Sequence, residues 1–141
     1  MIPLNPIGKK EIEELQNYLL FATMFRKEVL ELMRDPSERL TWMDSLFVAA
    51  ASIARAKARM SIKEIAEEVG RTEQTIKKHL EGETKAGKLV LETYELLKKG
   101  ELKVELELAN LLLSGNLTSV IEENKKLKEK IEKIKQILSE G

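Results

Sequence analysis

Cysteine is missing from all 141 residues, which excludes disulfides, thiolate metal centres and cysteine nucleophiles. A single histidine, His79, leaves no material for a histidine-rich metal cluster. Aromatic residues make up only 4% against 43% apolar residues, so a core must rest on Leu, Ile, Val, Ala and Met. No window approaches eighteen consecutive apolar residues, and the N-terminal MIPLNPIGKKEIEEL has no charged-then-apolar leader. These absences lead us to expect a cytoplasmic chain with no membrane span. A charge of one sign is also lacking, because 24 Lys and Arg balance 24 Asp and Glu. Lys and Glu dominate that charged third of the chain, a balance hyperthermophile proteins tend to show.

The usual signatures of catalysis are missing as well. There is no GxGxxG, Walker or nucleophile-elbow pattern to cradle phosphate or present a nucleophile. Glu13 and Glu14, like Glu67 and Glu68, are adjacent in sequence and so point apart on a helix, which prevents them from acting as a converging acid and base. The expectation is a chain that is not an enzyme and carries neither metal nor cofactor.

The distribution of charge is more telling than its sum. Residues 54–88 hold nine Lys and Arg against six Glu, whereas both flanking segments are slightly acidic. A local basic excess attracts phosphate whatever the whole-chain balance. An excess this small points to binding by two copies or with a helper.

Within that basic segment, residues 61–80 read SIKEIAEEVGRTEQTIKKHL. Ser61, with Glu64 three residues on, forms a capping box that opens a helix over 62–69. Ile62, Ile65, Ala66 and Val69 share one face of it. Gly70 ends it, and Thr72 caps a second helix over 73–81 in which Ile76 and Leu80 point inward. Two short helices joined by a Gly-containing turn, with small Ala66 at their crossing, form a helix-turn-helix. In such a unit the second helix enters the major groove of duplex DNA. Its outward positions are Glu73, Gln74, Lys77, Lys78 and Glu81. Gln74 suits an adenine edge, and Lys77 and Lys78 suit phosphate or guanine. Thr72 and its neighbour Arg71 face a phosphate at the helix start, and Lys85 lies on a turn or wing over 81–88. Glu73 completes the expected DNA-facing set, although its charge, like that of Glu81 and Glu83, opposes binding. His79 reads as a packing residue.

The motif resembles the helix-turn-helix of sigma-factor region four and of LuxR-type regulators. Arg71 departs from that pattern, because it stands where those proteins put Val or Ile, and a looser turn is expected there. The longer string EIAEEVGRTEQTIKKHLEGETKAGKLV is similar to a regulatory domain family of archaea. That family carries the Gly70-Arg71-Thr72 turn and the Thr84-Lys85-Ala86-Gly87 stretch, and the likeness spans roughly residues 45–100. Its members lie beside KaiC-like, RecA-type ATPases. The resemblance therefore implies transcription control or signal transduction, with double-stranded DNA or an ATPase as partner.

The remainder reads as mainly α. Apolar spacing predicts one long helix over 9–34 with Ile12, Leu15, Leu19, Ala22, Phe25, Val29, Leu32 and Met33 inward. Asp35-Pro36 breaks the pattern, and Ser37 is expected to cap a helix over 38–59 with Leu40, Met43, Leu46, Phe47, Ala50, Ile53 and Ala54 inward. Arg55, Lys57 and Arg59 at its end either complement the helix dipole or reach a DNA backbone. Trp42, Phe25 and Phe47 offer the only hints of an apolar ligand, and core packing accounts for them equally well. A further helix is expected over 89–99. Residues 101–109 alternate like a strand, with a helix over 101–113 as the rival reading. The division expected is an N-terminal helical segment 1–37, a helix-turn-helix domain 38–100 and a C-terminal segment 101–141.

In that last segment Leu117, Val120, Asn124, Leu127, Ile131, Ile134 and Leu138 keep three-four spacing and fit the a and d positions of a coiled coil. Asn at an a position favours two strands in fixed register. Glu123 and Lys128 would attract across a parallel pair, while Lys130 and Lys135 would repel. A homodimerising helix is expected, with a helix folded back on its own domain as the alternative.

Overall fold

A computed structural model describes residues 2–101 and 117–140, with side chains described over 2–101 and 126–139. Among these residues it contains seven helices and no strand: α1 (Gly8–Met24), α2 (Lys27–Leu32), α3 (Pro36–Lys57), α4 (Ile62–Val69), α5 (Glu73–Leu80), α6 (Lys85–Lys98) and α7 (Leu117–Glu140). The chain is mainly α. The alternation over 101–109 lies outside the described residues.

The chain divides into two compact units, Met1–Val104 and Glu105–Gly141. Within the first, Leu15, Leu19 and Ala22 of α1 and Val29 of α2 share a core with Leu46, Ala49, Ala50 and Ile53 of α3 and Val90, Tyr94 and Leu97 of α6. A boundary at residue 37 would run through this core, so the N-terminal helices belong to the same body as the motif.

α3 is the centre of that body. Its residues Leu46 and Val48 through Ala54 are buried, all the way round the helix. Ala49, Ala50 and Ala54 face the first core, and Val48 joins a second one with Ile65, Ala66 and Ile76. Four alanines in this stretch let helices pack closely on both sides without competing for volume. The start of α3 differs from expectation. Asp35, not Ser37, is the cap: its carboxylate accepts from the Ser37 backbone N–H at 3.0 Å and from the Ser37 hydroxyl at 2.7 Å. Pro36 then occupies the first turn, where its missing N–H costs nothing. The hydroxyl and amide of Ser37 hold the Asp35 carboxyl below its ordinary pKa of 3.8.

The helix expected over 9–34 is two helices. Arg26 is extended (φ −67°, ψ 139°) and interrupts it. The Arg26 guanidinium, 11% exposed, donates to the Leu89 carbonyl at 2.9 Å and to the Thr93 hydroxyl at 3.1 Å, and pairs with Glu92 at 3.2 Å and with Glu28. Buried Thr23 and Thr93 share a 2.7 Å hydrogen bond beside it. These contacts with α6 outweigh the lost helical turn, because a charged group buried without partners is far costlier than one broken backbone hydrogen bond.

Four residues expected inside are outside. Phe25 and Leu40 are 60% and 79% exposed, and Met43 and Phe47, on one face of α3, are 40% and 45% exposed. The apolar spacing of α3 continues toward its N-terminus beyond the point where the core stops.

Candidate nucleic-acid interface

α4 begins with the expected reciprocal cap. The Ser61 hydroxyl accepts from the Glu64 N–H at 3.2 Å, and a Glu64 carboxylate oxygen accepts from the Ser61 N–H at 3.2 Å. Those bonds lower the Glu64 carboxyl from its ordinary value, the Ser61 backbone N–H contributing most. α4 ends at Gly70, left-handed at φ 77°, whose N–H donates to the Ala66 carbonyl at 2.9 Å. Only glycine adopts that conformation without steric penalty. Thr72 caps α5 by accepting from the Thr75 N–H at 3.2 Å. Caps are each worth about 1 kcal/mol, whereas each fully buried Ile contributes roughly 1.5–3 kcal/mol. Packing of Ile65 and Ile76, both wholly buried, therefore holds the unit, while the caps set where its helices start.

With Ile76 and His79 inward, α5 turns Glu73, Gln74, Lys77 and Lys78 to solvent. Thr72, Glu81 and Glu83 are exposed as well. Glu73 sits in the first turn of α5, where a carboxylate complements the helix dipole; this gives it a structural role independent of any ligand.

Arg71 behaves differently from expectation. Its guanidinium pairs with Asp44 of α3 at 2.9 Å, and its backbone N–H donates to the Ala66 carbonyl at 3.2 Å. The turn is thus anchored to α3 by an ion pair rather than by an apolar side chain. Arg71 remains exposed, but its charge is partly spent within the chain.

Lys85 is not on a wing. It opens α6, which starts four residues earlier than expected because Thr84 caps it, accepting from the Gly87 N–H at 2.9 Å. The Lys85 ammonium lies 5.7 Å from the centre of the Trp42 ring, on the edge of cation–π range. Gly87 sits against α5: a Cβ there would lie 2.4 Å from the His79 carbonyl oxygen. Between them, His79 Nδ1 and the Thr84 hydroxyl share a 2.6 Å hydrogen bond. His79 is buried, and burial lowers its pKa from 6.5. It packs and joins α5 to α6.

Two residues of the basic cluster closing α3 are used internally. Arg55, 13% exposed, pairs with Glu68 of α4 at 3.2 Å and donates to Gln16 of α1 at 2.8 Å. The Lys57 ammonium lies 4.3 Å above the Tyr94 ring. Arg59 is exposed and adopts φ 67° just before α4.

Sequence reasoning missed Asp44, Glu68 and Gln16, the partners that fix the motif's orientation on α1 and α3. No local signal marks them, since the pairs span 27, 13 and 39 residues. In the sequence Gly87 stands out only as part of a resemblance, and its close approach to His79 explains why a glycine stands there.

α7 carries the heptad residues. Leu127, Ile131, Ile134 and Leu138 are each more than half exposed. Leu117, Val120 and Asn124 lie on the same helix, but their side chains fall outside the described residues. Among the described residues, no helix is long and apolar enough to cross a membrane, and no group of three or more His, Asp and Glu is placed to hold a metal ion.

No family model matches the chain, and no solved structure matches it significantly. It is similar to an uncharacterized protein of Methanocaldococcus jannaschii, MJ1053, with 61% identity over 105 residues. The match takes in 74% of this chain and 64% of that protein's length.

Proposed function

We propose that this chain is a sequence-specific DNA-binding transcription regulator that sets α5 in the major groove and acts as a homodimer on paired half-sites. One observation carries the reading: the α4–α5 unit commits its apolar face to α3 and leaves Gln74, Lys77 and Lys78 exposed along one helix. Gln74 is the base-reading candidate, Lys77 and Lys78 are the phosphate contacts, and Thr72 and Lys85 flank them. Arg71 reaches phosphate only by exchanging Asp44 for it. The apolar stripe of α7, exposed in the single chain, supplies a seam for a second copy.

Selection of bound fragments from random duplex DNA at about physiological salt tests this reading, with pseudo-palindromic sites one helical turn apart as the expected yield. Lys77→Ala and Lys78→Ala should each weaken binding to all sequences alike and lower the salt slope by about 1. Gln74→Ala should relax preference at one base pair, at about 1–3 kcal/mol. No enrichment even at low salt would sink the proposal. The exposed carboxylates of Glu73, Glu81 and Glu83 favour a second reading, an adaptor whose α5 face docks a partner protein such as an ATPase of the RecA type. In that case the same lysine variants leave no DNA signal to lose.

A further inference from the structure

The described turns of α7 combine two features. Leu127, Ile131, Ile134 and Leu138 form an apolar stripe exposed among the described residues. The positions bordering that stripe are Lys128 and Lys135 on one side and Lys130 on the other, all exposed. Ile137, 68% exposed, widens the stripe on the Lys130 side. The carboxylates of these turns, Glu129 and Glu132, lie on the opposite face by helical spacing. Apolar seams edged by one sign of charge choose their partners through the bordering positions.

A second copy answers this border poorly. Parallel pairing sets Lys130 against Lys135 of the other chain, twice by symmetry, which cancels the attraction of Glu123 for Lys128. Antiparallel pairing with full overlap of these turns sets Lys128 against Lys135 of the other chain, twice by symmetry, and Lys130 against Ile137. Both orientations place like charges together beside the seam.

We propose that the preferred occupant of the α7 seam is an amphipathic helix of another protein that carries Asp or Glu on both borders of its apolar stripe. A second copy holds the seam only when such a helix is absent. The inference concerns α7 alone and stands whether or not α5 reads DNA.

The test titrates the full chain into two fluorescently labelled synthetic helices and follows anisotropy at low ionic strength. Both helices carry Leu and Ile in heptad register. One has Glu at the positions facing Lys128, Lys130 and Lys135, and its twin has Lys there. Three attractive pairs in place of three repulsive ones, each worth about 1.5- to 2-fold, give the acidic helix a preference of about tenfold or more. High salt should erase that preference. In the chain with Lys128, Lys130 and Lys135 all changed to Glu, the preference should reverse. These positions are exposed, so circular dichroism should show an unchanged fold. Equal affinity for the two helices, binding of neither, or a preference that survives the triple change would overturn the proposal. So would capture of the chain by vesicles rich in phosphatidylserine that the acidic helix fails to compete away, which would make the lysines a border for an anionic lipid surface.

Discussion

Replacing Gly87 with Ala places opposing effects on one atom. In a solvated helix this change is worth roughly 1 kcal/mol of stabilisation, since alanine has the better helix propensity. Here the new Cβ would stand 2.4 Å from the His79 carbonyl oxygen, 2.8 Å from the His79 Cα and 2.9 Å from the Thr84 hydroxyl. The first two neighbours are backbone and have no rotamer to move into. Relief must come from sliding the start of α6 away from the end of α5. Overpacking of this kind costs about 1–3 kcal/mol. The slide also strains the Thr84 cap and the His79–Thr84 hydrogen bond, each worth about 1 kcal/mol. Set against the propensity gain, the net expectation is a loss of about 2 kcal/mol. Urea unfolding followed by far-ultraviolet circular dichroism measures it as a lower midpoint with little change in slope. Lys88→Ala, exposed in the same turn, serves as the control and should shift stability by less than about 0.5 kcal/mol. A Gly87→Ala variant as stable as the parent would refute the close approach of α5 and α6.

His79 gives a pH signature whose sign follows from its burial. Because the folded state lowers its pKa below 6.5, the unfolded chain takes up the proton first. Stability is then full above about pH 7 and falls as the pH drops below 6.5. Asp35 and Glu64 are shifted downward from 3.8 and 4.5, so their contributions fade only at lower pH. Unfolding free energies measured between pH 7 and 5 should therefore decline in the parent and flatten in His79→Gln; parallel slopes would count against the assignment. Arg71 and Asp44 make a double-mutant cycle possible. With Ala at either or both positions, the coupling should be about 0.5 kcal/mol, as for exposed pairs. If Arg71 also reaches phosphate, Arg71→Ala weakens DNA binding while Asp44→Ala strengthens or spares it; equal losses from both would limit Arg71 to anchoring the turn.

What was legible in the sequence was local. The Ser61–Glu64 box, the Gly70 stop and the Thr72 cap each act within four residues, and the helices begin and end where these signals lie. The interruption at Arg26 is of another kind, since its partners Leu89, Glu92 and Thr93 are more than sixty residues away. The segment EGETKAGK reads as a turn because it holds two glycines. Gly82 is in fact left-handed at φ 71°, but Gly87 is helical and answers to the close passage of another backbone. Leu40, Met43 and Phe47 show a limit of periodicity: three-four spacing establishes that residues share a face, not that anything covers it.

The two-sided burial of α3 has a thermodynamic consequence. Val48 faces the motif while its neighbours Ala49 and Ala50 face α1 and α6, so neither core can come apart without exposing part of α3. Opening the α4–α5 unit and detaching α1 are then one cooperative event rather than two. Backbone amides near residues 46–54 should be the last to exchange with deuterated solvent, at the free energy of global unfolding. Shortening the chain from its N-terminus would accordingly be felt at α5, although α1 contributes nothing to its exposed face.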